Sequence, residues 1–190
     1  EKIILANSRI VNKKLSLCIT RYGNVIGSRG SVVPTFIDQI KHNKPLTITD
    51  GSMTRFLMTL NEAIKLVLFA FENGKNGDLF VQKSPAATLE TISKAIAKKY
   101  KKKLKIKKIG FRHGEKKHES LLSIEECVIA NDLGHYYQIT LDKKSLNYKK
   151  YFKVGREVFN KEPYSSNNTK IFSIDETISI LKKSKVFDQN

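Results

Sequence analysis

The chain has 190 residues, of which 40% are hydrophobic, so it is long enough to bury a core and is not expected to be disordered. No run of about 18 apolar residues occurs, which excludes a membrane-spanning helix, and no secretory leader is recognisable. Two cysteines and four histidines predict neither a disulfide scaffold nor a metal site. This cysteine usage suits a reducing compartment, and we expect a cytoplasmic protein.

The first residues have the spacing of a helix interior. Ile3 and Ile4 already lie on one helical face, and no capping residue precedes them. We therefore expect the chain to be the C-terminal part of a longer protein.

Strands and helices alternate along the chain, which predicts an α/β fold. Apolar runs indicate strands at 15–21, 45–49, 78–82 and 103–109. The pairs Thr59/Glu62 and Ser173/Glu176 have the spacing of capping boxes at helix starts, and Thr88 opens another helix. In the helix after Thr59, the predicted buried stripe is Ala63, Ile64, Val67, Leu68 and Phe71. Residues 124–170 show little periodicity, so few regular elements are expected there.

The net charge of +17 raises the question of nucleic acid, because basic domains bind polyanions. Only six of the 35 basic residues are arginine, however, and many lysines crowd into residues 98–108. Base recognition favours arginine and interleaved aromatic residues. We interpret the run as a solvated surface in which Leu104, Ile106 and Ile109 face the core, and we expect no nucleic-acid partner.

A glycine-rich loop at 22–30 lies between a strand and a helix. Gly23, Gly27 and Gly30 followed by Asp50 resemble in outline a dinucleotide-binding fingerprint, but their spacing is not G-x-G-x-x-G. Three interpretations remain open: a cofactor pyrophosphate site, a structural turn, and a site for another phosphate-bearing ligand at the helix N-terminus. The third is favoured, because the loop carries larger polar side chains than a minimal cofactor turn needs.

Two arginines outside the loop support this interpretation. Arg55 lies among apolar residues, where a guanidinium needs a partner. Arg112 precedes Glu115 by three residues, after the strand at 103–109. Two arginines can clamp a diphosphate while the glutamate accepts hydrogen bonds from sugar hydroxyls. For each arginine alone, a structural salt bridge is the alternative.

The motifs at 21–31, 53–56 and 112–116 together resemble the C-terminal half of an extended short-chain dehydrogenase/reductase that modifies nucleotide sugars. The similarity is to capsule and O-antigen polysaccharide-biosynthesis proteins of the CapE/CapD type, which are UDP-N-acetylglucosamine 4,6-dehydratases with 5-epimerase activity. It covers about residues 1–155. Lys117 and His118 depart from the Leu-Tyr that usually follows this motif.

The resemblance implies a set of site residues. Asn24 matches the asparagine at the substrate phosphate, and Tyr22 lies where family members approach the nicotinamide ribose. The remaining implied contacts are Ser31 and Val32 at the diphosphate through a helix start, Thr47 and Thr49 beside the uracil, Arg55 and Arg112 at the diphosphate, and Glu115 at the ribose. The cofactor would be NADP or NAD, bound mainly by an N-terminal half that also holds the catalytic groups. No catalytic residue is therefore expected in this chain, which should be inactive alone.

By the same resemblance, the chain would divide into four segments. These are the end of a Rossmann domain (1–30), a substrate-binding part (31–122), a C-terminal extension (123–155) and a tail with a terminal helix (156–190). The leading hypothesis is the UDP-sugar-binding half of a 4,6-dehydratase that forms homo-oligomers. The alternatives are a 4-epimerase of the same fold, a basic nucleic-acid-binding module, and an inactive, partly folded fragment.

Overall fold

A computed structural model of the chain describes residues 1–10, 15–110, 113–141 and 162–188. Strands and helices alternate as predicted, so the α/β class is confirmed. The chain forms two compact units, the first built from 1–22, 63–83 and 120–164 and the second from 23–62, 84–119 and 165–190. The four-segment division stays a prediction.

The first unit is built on a four-stranded sheet. Its elements are α1 (Lys2–Ser8), β1 (Ile19–Arg21), most of α3 (Leu60–Asn73), β4 (Leu79–Gln82), β7 (Ser120–Leu122), α5 (Ile124–Ile129), β8 (Asn131–Asp132) and β9 (Tyr136–Ile139). The strand order is β1-β4-β9-β8, with β1 and β4 parallel and the other neighbours antiparallel. Phe80 of β4 is fully buried and packs edge-to-face on Phe69, with ring centroids 5.5 Å apart. Two strands of this sheet, β8 and β9, therefore lie within residues 124–170, where few regular elements were expected.

The second unit holds most of the buried apolar residues. Its elements are α2 (Val32–Lys41), β2 (Leu46–Ile48), β3 (Thr54–Phe56), β5 (Ala86–Thr88), α4 (Leu89–Lys99), β6 (Ile106–Lys108) and α6 (Ile174–Lys183), followed by a 3₁₀ turn (Val186–Asp188). A short strand, β10 (Tyr164–Ser165), lies at the boundary between the units. β2 pairs in parallel with β6, and β3 pairs antiparallel with β5. Leu181 of α6 lies in the same core cluster as Phe36 and Ile92, so the C-terminal helix is part of this unit's core.

The capping signals are confirmed because they depend on neighbouring residues only. The Ser173 hydroxyl accepts the Glu176 N–H while the Glu176 carboxylate accepts the Ser173 N–H, and Thr59 and Glu62 pair in the same way. Thr88 caps α4 by accepting the N–H of Thr91. Local capping patterns therefore located three helix starts.

The predicted buried stripe of α3 is wrong in four of its five positions. Ala63 is buried, together with Leu66 and Ala70, because this face packs against Phe80. The other four residues are exposed in this chain: Ile64, Val67, Leu68 and Phe71. α3 is apolar on more than one face, so periodicity could not identify the face that the sheet covers.

The prediction that Leu104, Ile106 and Ile109 face the core is confirmed for Leu104 and wrong for Ile106. Leu104 packs against the core of the second unit, whereas Ile106 is 45% exposed. β6 pairs with β2 alone among the described strands, and all three of its residues are exposed, so neither face of this strand is covered. The lysines beside Ile106 are exposed as expected.

Candidate functional site

The glycine loop of the second unit packs directly on β3. A side chain at Gly23 would place its Cβ 2.5 Å from the Cβ of the fully buried Phe56, so only glycine allows this approach. Farther along, the Ile26 N–H donates to the Met58 carbonyl at 2.8 Å, and Gly27 has a φ of 85°. Part of the glycine pattern thus has a structural cause. These contacts join the loop to β3 and to the residues that follow it.

A cavity of about 100 Å³ lies between this loop, the N-terminus of α2 and β3. It brings together four residues that the sequence predicted for a diphosphate site; they are Asn24, Ser31, Val32 and Arg55. The predicted residues therefore converge on one concave site within a single unit, as a ligand site requires.

Ser31 is the N-cap residue of α2, but its side chain does not cap the helix. Its Oγ is buried and has no hydrogen-bond partner among the residues that the structure describes. A buried hydroxyl without a partner is costly and calls for an explanation. The first N–H groups of a helix also lack intrahelical partners, and they favour an anion. Because Ser31 lines the cavity, a phosphate bound there would accept hydrogen bonds from the Ser31 hydroxyl and from the free N–H groups of the first turn of α2.

Arg55 is held in place mainly by backbone carbonyls. Its side chain is 12% exposed, and its Nη1 donates to the carbonyls of Thr54 at 2.8 Å and Lys117 at 3.3 Å. The carboxylates of Glu115 and Glu119 lie 3.6 and 3.9 Å from the guanidinium. These distances exceed the 2.7–2.9 Å of a charge-assisted hydrogen bond. Arg55 thus forms two ion pairs that are longer than charge-assisted hydrogen bonds, and the structural salt bridge stays the alternative to a ligand role.

The two threonines predicted beside the base have different partners. Thr49 donates to the Glu115 carboxylate at 3.0 Å, so the predicted ribose acceptor lies next to a predicted base contact. Thr47 binds the Gln39 amide through both its hydroxyl and its N–H, at 2.8 and 3.0 Å. Gln39 was not predicted, because the contact joins α2 to β2 and depends on how these two elements pack.

Two predicted residues lie elsewhere. Arg112 is outside the described residues. Tyr22 follows β1 in the first unit and is 43% exposed. Because β1 and β4 are parallel, Tyr22 lies at the carboxyl end of a parallel strand, where open α/β sheets bind their ligands.

Sequence reasoning also missed a buried polar cluster behind Arg55. Ser166, Thr54 and His118 are joined by short hydrogen bonds, 2.6 Å between the two hydroxyls and 2.8 Å from Thr54 Oγ1 to His118 Nδ1. Thr54 and His118 lie within or beside recognised motifs, but Ser166 lies in the segment that matched no known pattern.

Within the described ranges, no group of three or more metal-ligating side chains occurs. The same part of the chain contains no helix long and apolar enough to cross a membrane.

Two family models match the chain. One, described as polysaccharide biosynthesis protein, matches residues 1–141, and the other, polysaccharide biosynthesis protein C-terminal, matches residues 142–186. The second model covers most of the tail that sequence reasoning left unassigned.

Among curated proteins, the chain is similar to UDP-glucose 4-epimerases of Rickettsia. Identity is 53% with the protein of Rickettsia bellii and 52% with that of Rickettsia akari, each over 95% of this chain and 54% of the relative. The chain thus spans about half the length of these relatives.

Among solved structures, Pen from Bacillus thuringiensis is 31% identical, with a TM-score of 0.80 over 96% of this chain and 54% of that one. The dTDP-glucose 4,6-dehydratase of Bacillus anthracis, solved with NAD, is 15% identical with a TM-score of 0.53, over 97% of this chain and 50% of that one. These structures confirm the predicted fold, the C-terminal part of a short-chain dehydrogenase/reductase Rossmann fold with its smaller domain. Since one family model covers well over half of its residues, the chain belongs to the polysaccharide biosynthesis protein family.

Proposed function

We propose that this chain is the nucleotide-sugar-binding half of an enzyme that modifies a UDP-sugar. The observation that carries the proposal is the cavity at the start of α2, in which Asn24, Arg55 and the Ser31 hydroxyl meet, the hydroxyl having no partner among the described residues. Such a combination of a cation, a buried hydroxyl and a helix N-terminus suits a diphosphate.

In this proposal each residue has a distinct contact. Ser31, the Val32 N–H and Asn24 bind phosphate oxygens, and Arg55 and Arg112 neutralise the diphosphate. Glu115 accepts from ribose hydroxyls while Thr49 steadies its carboxylate, and the strand carrying Thr47 flanks the uracil. Binding energy from the UDP portion then orients the sugar for reaction.

The proposed cofactor is NADP or NAD. When bound, it supplies reversible oxidation at a sugar carbon, chemistry that protein side chains lack. Tyr22 fits this role, since its half-exposed ring stands at the carboxyl end of β1. The Bacillus anthracis relative was solved with NAD, which supports a nicotinamide cofactor without distinguishing its two forms.

Two reactions fit this binding half. The resemblance to CapE/CapD-type proteins favours 4,6-dehydration of UDP-N-acetylglucosamine with 5-epimerisation, in capsule or O-antigen biosynthesis. The names of the curated relatives favour 4-epimerisation of UDP-glucose or UDP-N-acetylglucosamine. Mass spectrometry of the full-length protein with each substrate separates them, because dehydration yields a product lighter by one water and epimerisation an isomer of equal mass. Failure to convert either UDP-sugar would contradict both.

Binding itself is tested by calorimetry of the full-length protein with UDP. Replacing Ser31 by Ala removes a hydrogen bond to phosphate, so we expect a loss of about 1 kcal/mol, roughly fivefold in affinity. Ser28→Ala is the matched control, because Ser28 is an exposed serine of the same loop. Equal affinity of both variants and the wild type would contradict the phosphate site.

A further inference from the structure

We propose that Thr54, together with Ser166 and His118, forms a buried hydrogen-bond chain that positions Arg55 for the diphosphate. The inference rests on the proposed function, since it concerns the same arginine. It also gives a role to Ser166, which lies in the C-terminal segment and 112 residues from Thr54.

Ser166 forms one end of this hydrogen-bond chain and is fully buried, with Thr54 in the middle. Its Oγ lies 2.6 Å from Thr54 Oγ1, donates to the Thr54 carbonyl at 3.2 Å and accepts the Glu119 N–H at 2.9 Å. Its own N–H donates to the Glu119 carbonyl at 2.8 Å. One serine thereby fixes both β3 and the segment at 117–119.

The two backbone segments that Ser166 joins, β3 and residues 117–119, also orient Arg55. Nη1 of Arg55 donates to the Thr54 and Lys117 carbonyls, and the Thr54 N–H donates to the Lys117 carbonyl at 3.1 Å. The carboxylates of Glu115 and Glu119 lie farther away, at 3.6 and 3.9 Å. The orientation of the guanidinium therefore depends on where these two carbonyls stand.

His118 closes the other end of the chain. A threonine hydroxyl can donate one hydrogen bond and accept others, so Thr54 can donate to a bare Nδ1 or accept from a protonated one. When Nδ1 of His118 carries the proton, the Thr54 hydroxyl accepts from it and donates to the Ser166 hydroxyl. The Ser166 hydroxyl then donates to the Thr54 carbonyl. Every hydroxyl proton thus has an acceptor in either state of His118. Removing the Thr54 hydroxyl would leave both of its neighbours without that partner.

Correct positioning matters because a guanidinium binds two phosphate oxygens only in a narrow range of orientations. A small displacement of Thr54 would keep the charge of Arg55 but lose its fit to the diphosphate. Thr54 is accordingly a positioning residue and has no direct contact with the substrate in this proposal.

The test is a double-mutant cycle on UDP affinity in the full-length protein, measured by calorimetry. Thr54→Val should weaken UDP binding about fivefold to twentyfold, whereas Thr54→Ser, which keeps the hydroxyl, should change it less than about twofold. In an Arg55→Ala background, Thr54→Val should cause no further loss, because its effect passes through Arg55. Affinity for uridine, which has no diphosphate, should be unchanged by Thr54→Val.

Thr177→Val is the matched control for losing a buried threonine hydroxyl. Thr177 is fully buried in the same unit and donates to the Ser173 carbonyl at 2.7 Å, a bond at the start of α6 that involves neither Thr54 nor Arg55. It should be destabilising without altering UDP affinity in the folded protein. If Thr54→Val does not fold, Ser166→Ala replaces it in the double-mutant cycle with Arg55→Ala, because Ser166 belongs to the same hydrogen-bond chain.

Different failures have different meanings. Wild-type affinity for UDP in Thr54→Val, or equal weakening with and without Arg55, would overturn the positioning role while leaving the proposed function intact. Unchanged affinity in Arg55→Ala would instead overturn the diphosphate assignment, and the positioning role with it.

Discussion

Arg21 in the first unit and Arg55 in the second are both largely buried, with side chains 21% and 12% exposed. Arg21 makes five hydrogen bonds of 2.5–3.0 Å, four to the carboxylates of Glu1 and Glu126 and one to the Leu121 carbonyl. Five is the full number of N–H groups on a guanidinium. Arg55 donates mainly to carbonyls, and its carboxylate neighbours lie at 3.6 and 3.9 Å.

In our proposal, this difference separates a structural arginine from one that binds a ligand. The charge of Arg21 is neutralised at short range inside its own unit, and its donors are all in use. The charge of Arg55 is oriented by neutral oxygens and is only loosely paired. Burial alone would not have distinguished them; the distances to the carboxylates do.

The largest expected effect is on stability, from Arg21→Ala. This change leaves two carboxylates without their main partner, so the free energy of unfolding should fall by about 3 kcal/mol. Chemical denaturation measures it. Arg9→Ala, at an exposed arginine of the same unit, should change stability by less than about 0.5 kcal/mol. If Arg21→Ala instead weakened UDP binding without lowering stability, Arg21 would be a ligand-binding arginine and its structural assignment would be wrong.

Arg55→Ala should show the opposite pattern. UDP binding by the full-length protein should weaken by ~1.5–3 kcal/mol, the scale of a charge-assisted hydrogen bond, with a smaller change in stability than for Arg21→Ala. Arg112→Ala should act in the same way, a prediction that rests on the resemblance. Calorimetry with UDP measures both, and Arg9→Ala again serves as control. Unchanged affinity in both variants would make these arginines structural.

The pH dependence of stability offers a finer comparison. Hydrogen bonds from Arg21 lower the pKa of Glu1 and of Glu126, partly opposed by burial. A carboxyl whose pKa is lower in the folded state stabilises the protein above its unfolded pKa, and that contribution is lost as the pH falls through the folded pKa. The stability difference between wild type and Arg21→Ala should therefore shrink below about pH 4. A difference that stays constant from pH 7 to pH 3 would show that these carboxylates do not stabilise the fold.

The smallest effect is expected from the lysine run. Lys101, Lys103, Lys105 and Lys107 are exposed, and charges beyond a Debye length of ~8–10 Å are largely screened. Changing these four to Gln should leave kcat/KM of the full-length enzyme within about threefold at physiological salt, since distant surface charges act mainly on encounter rate. A hundredfold loss, or loss of a tight specific nucleic-acid complex, would show that this surface has a function of its own.

Much of this protein could be predicted from residues that are neighbours in sequence. The capping boxes at Thr59 and Ser173, the strand–loop–helix order around Gly23 and the α/β alternation depend on local backbone chemistry, which a few adjacent residues determine. The polar loop with Asn24 and the arginine at position 55 also indicated a phosphate ligand before any geometry was known, whereas Ser31 was implied by the family resemblance. That these three line one cavity required the fold.

Only the tertiary structure decided which surfaces are buried and which polar groups meet. Periodicity marked several apolar positions on α3, but packing against Phe80 selected the face with Leu66 and Ala70. Ser166 meets Thr54 across 112 residues of chain, a contact that no local pattern encodes. The contrast between Arg21 and Arg55 has the same origin, since in the sequence each arginine follows a threonine and precedes an aromatic residue. Long-range contacts bring carboxylates to within 3.0 Å of one guanidinium and leave those near the other at 3.6 Å or more.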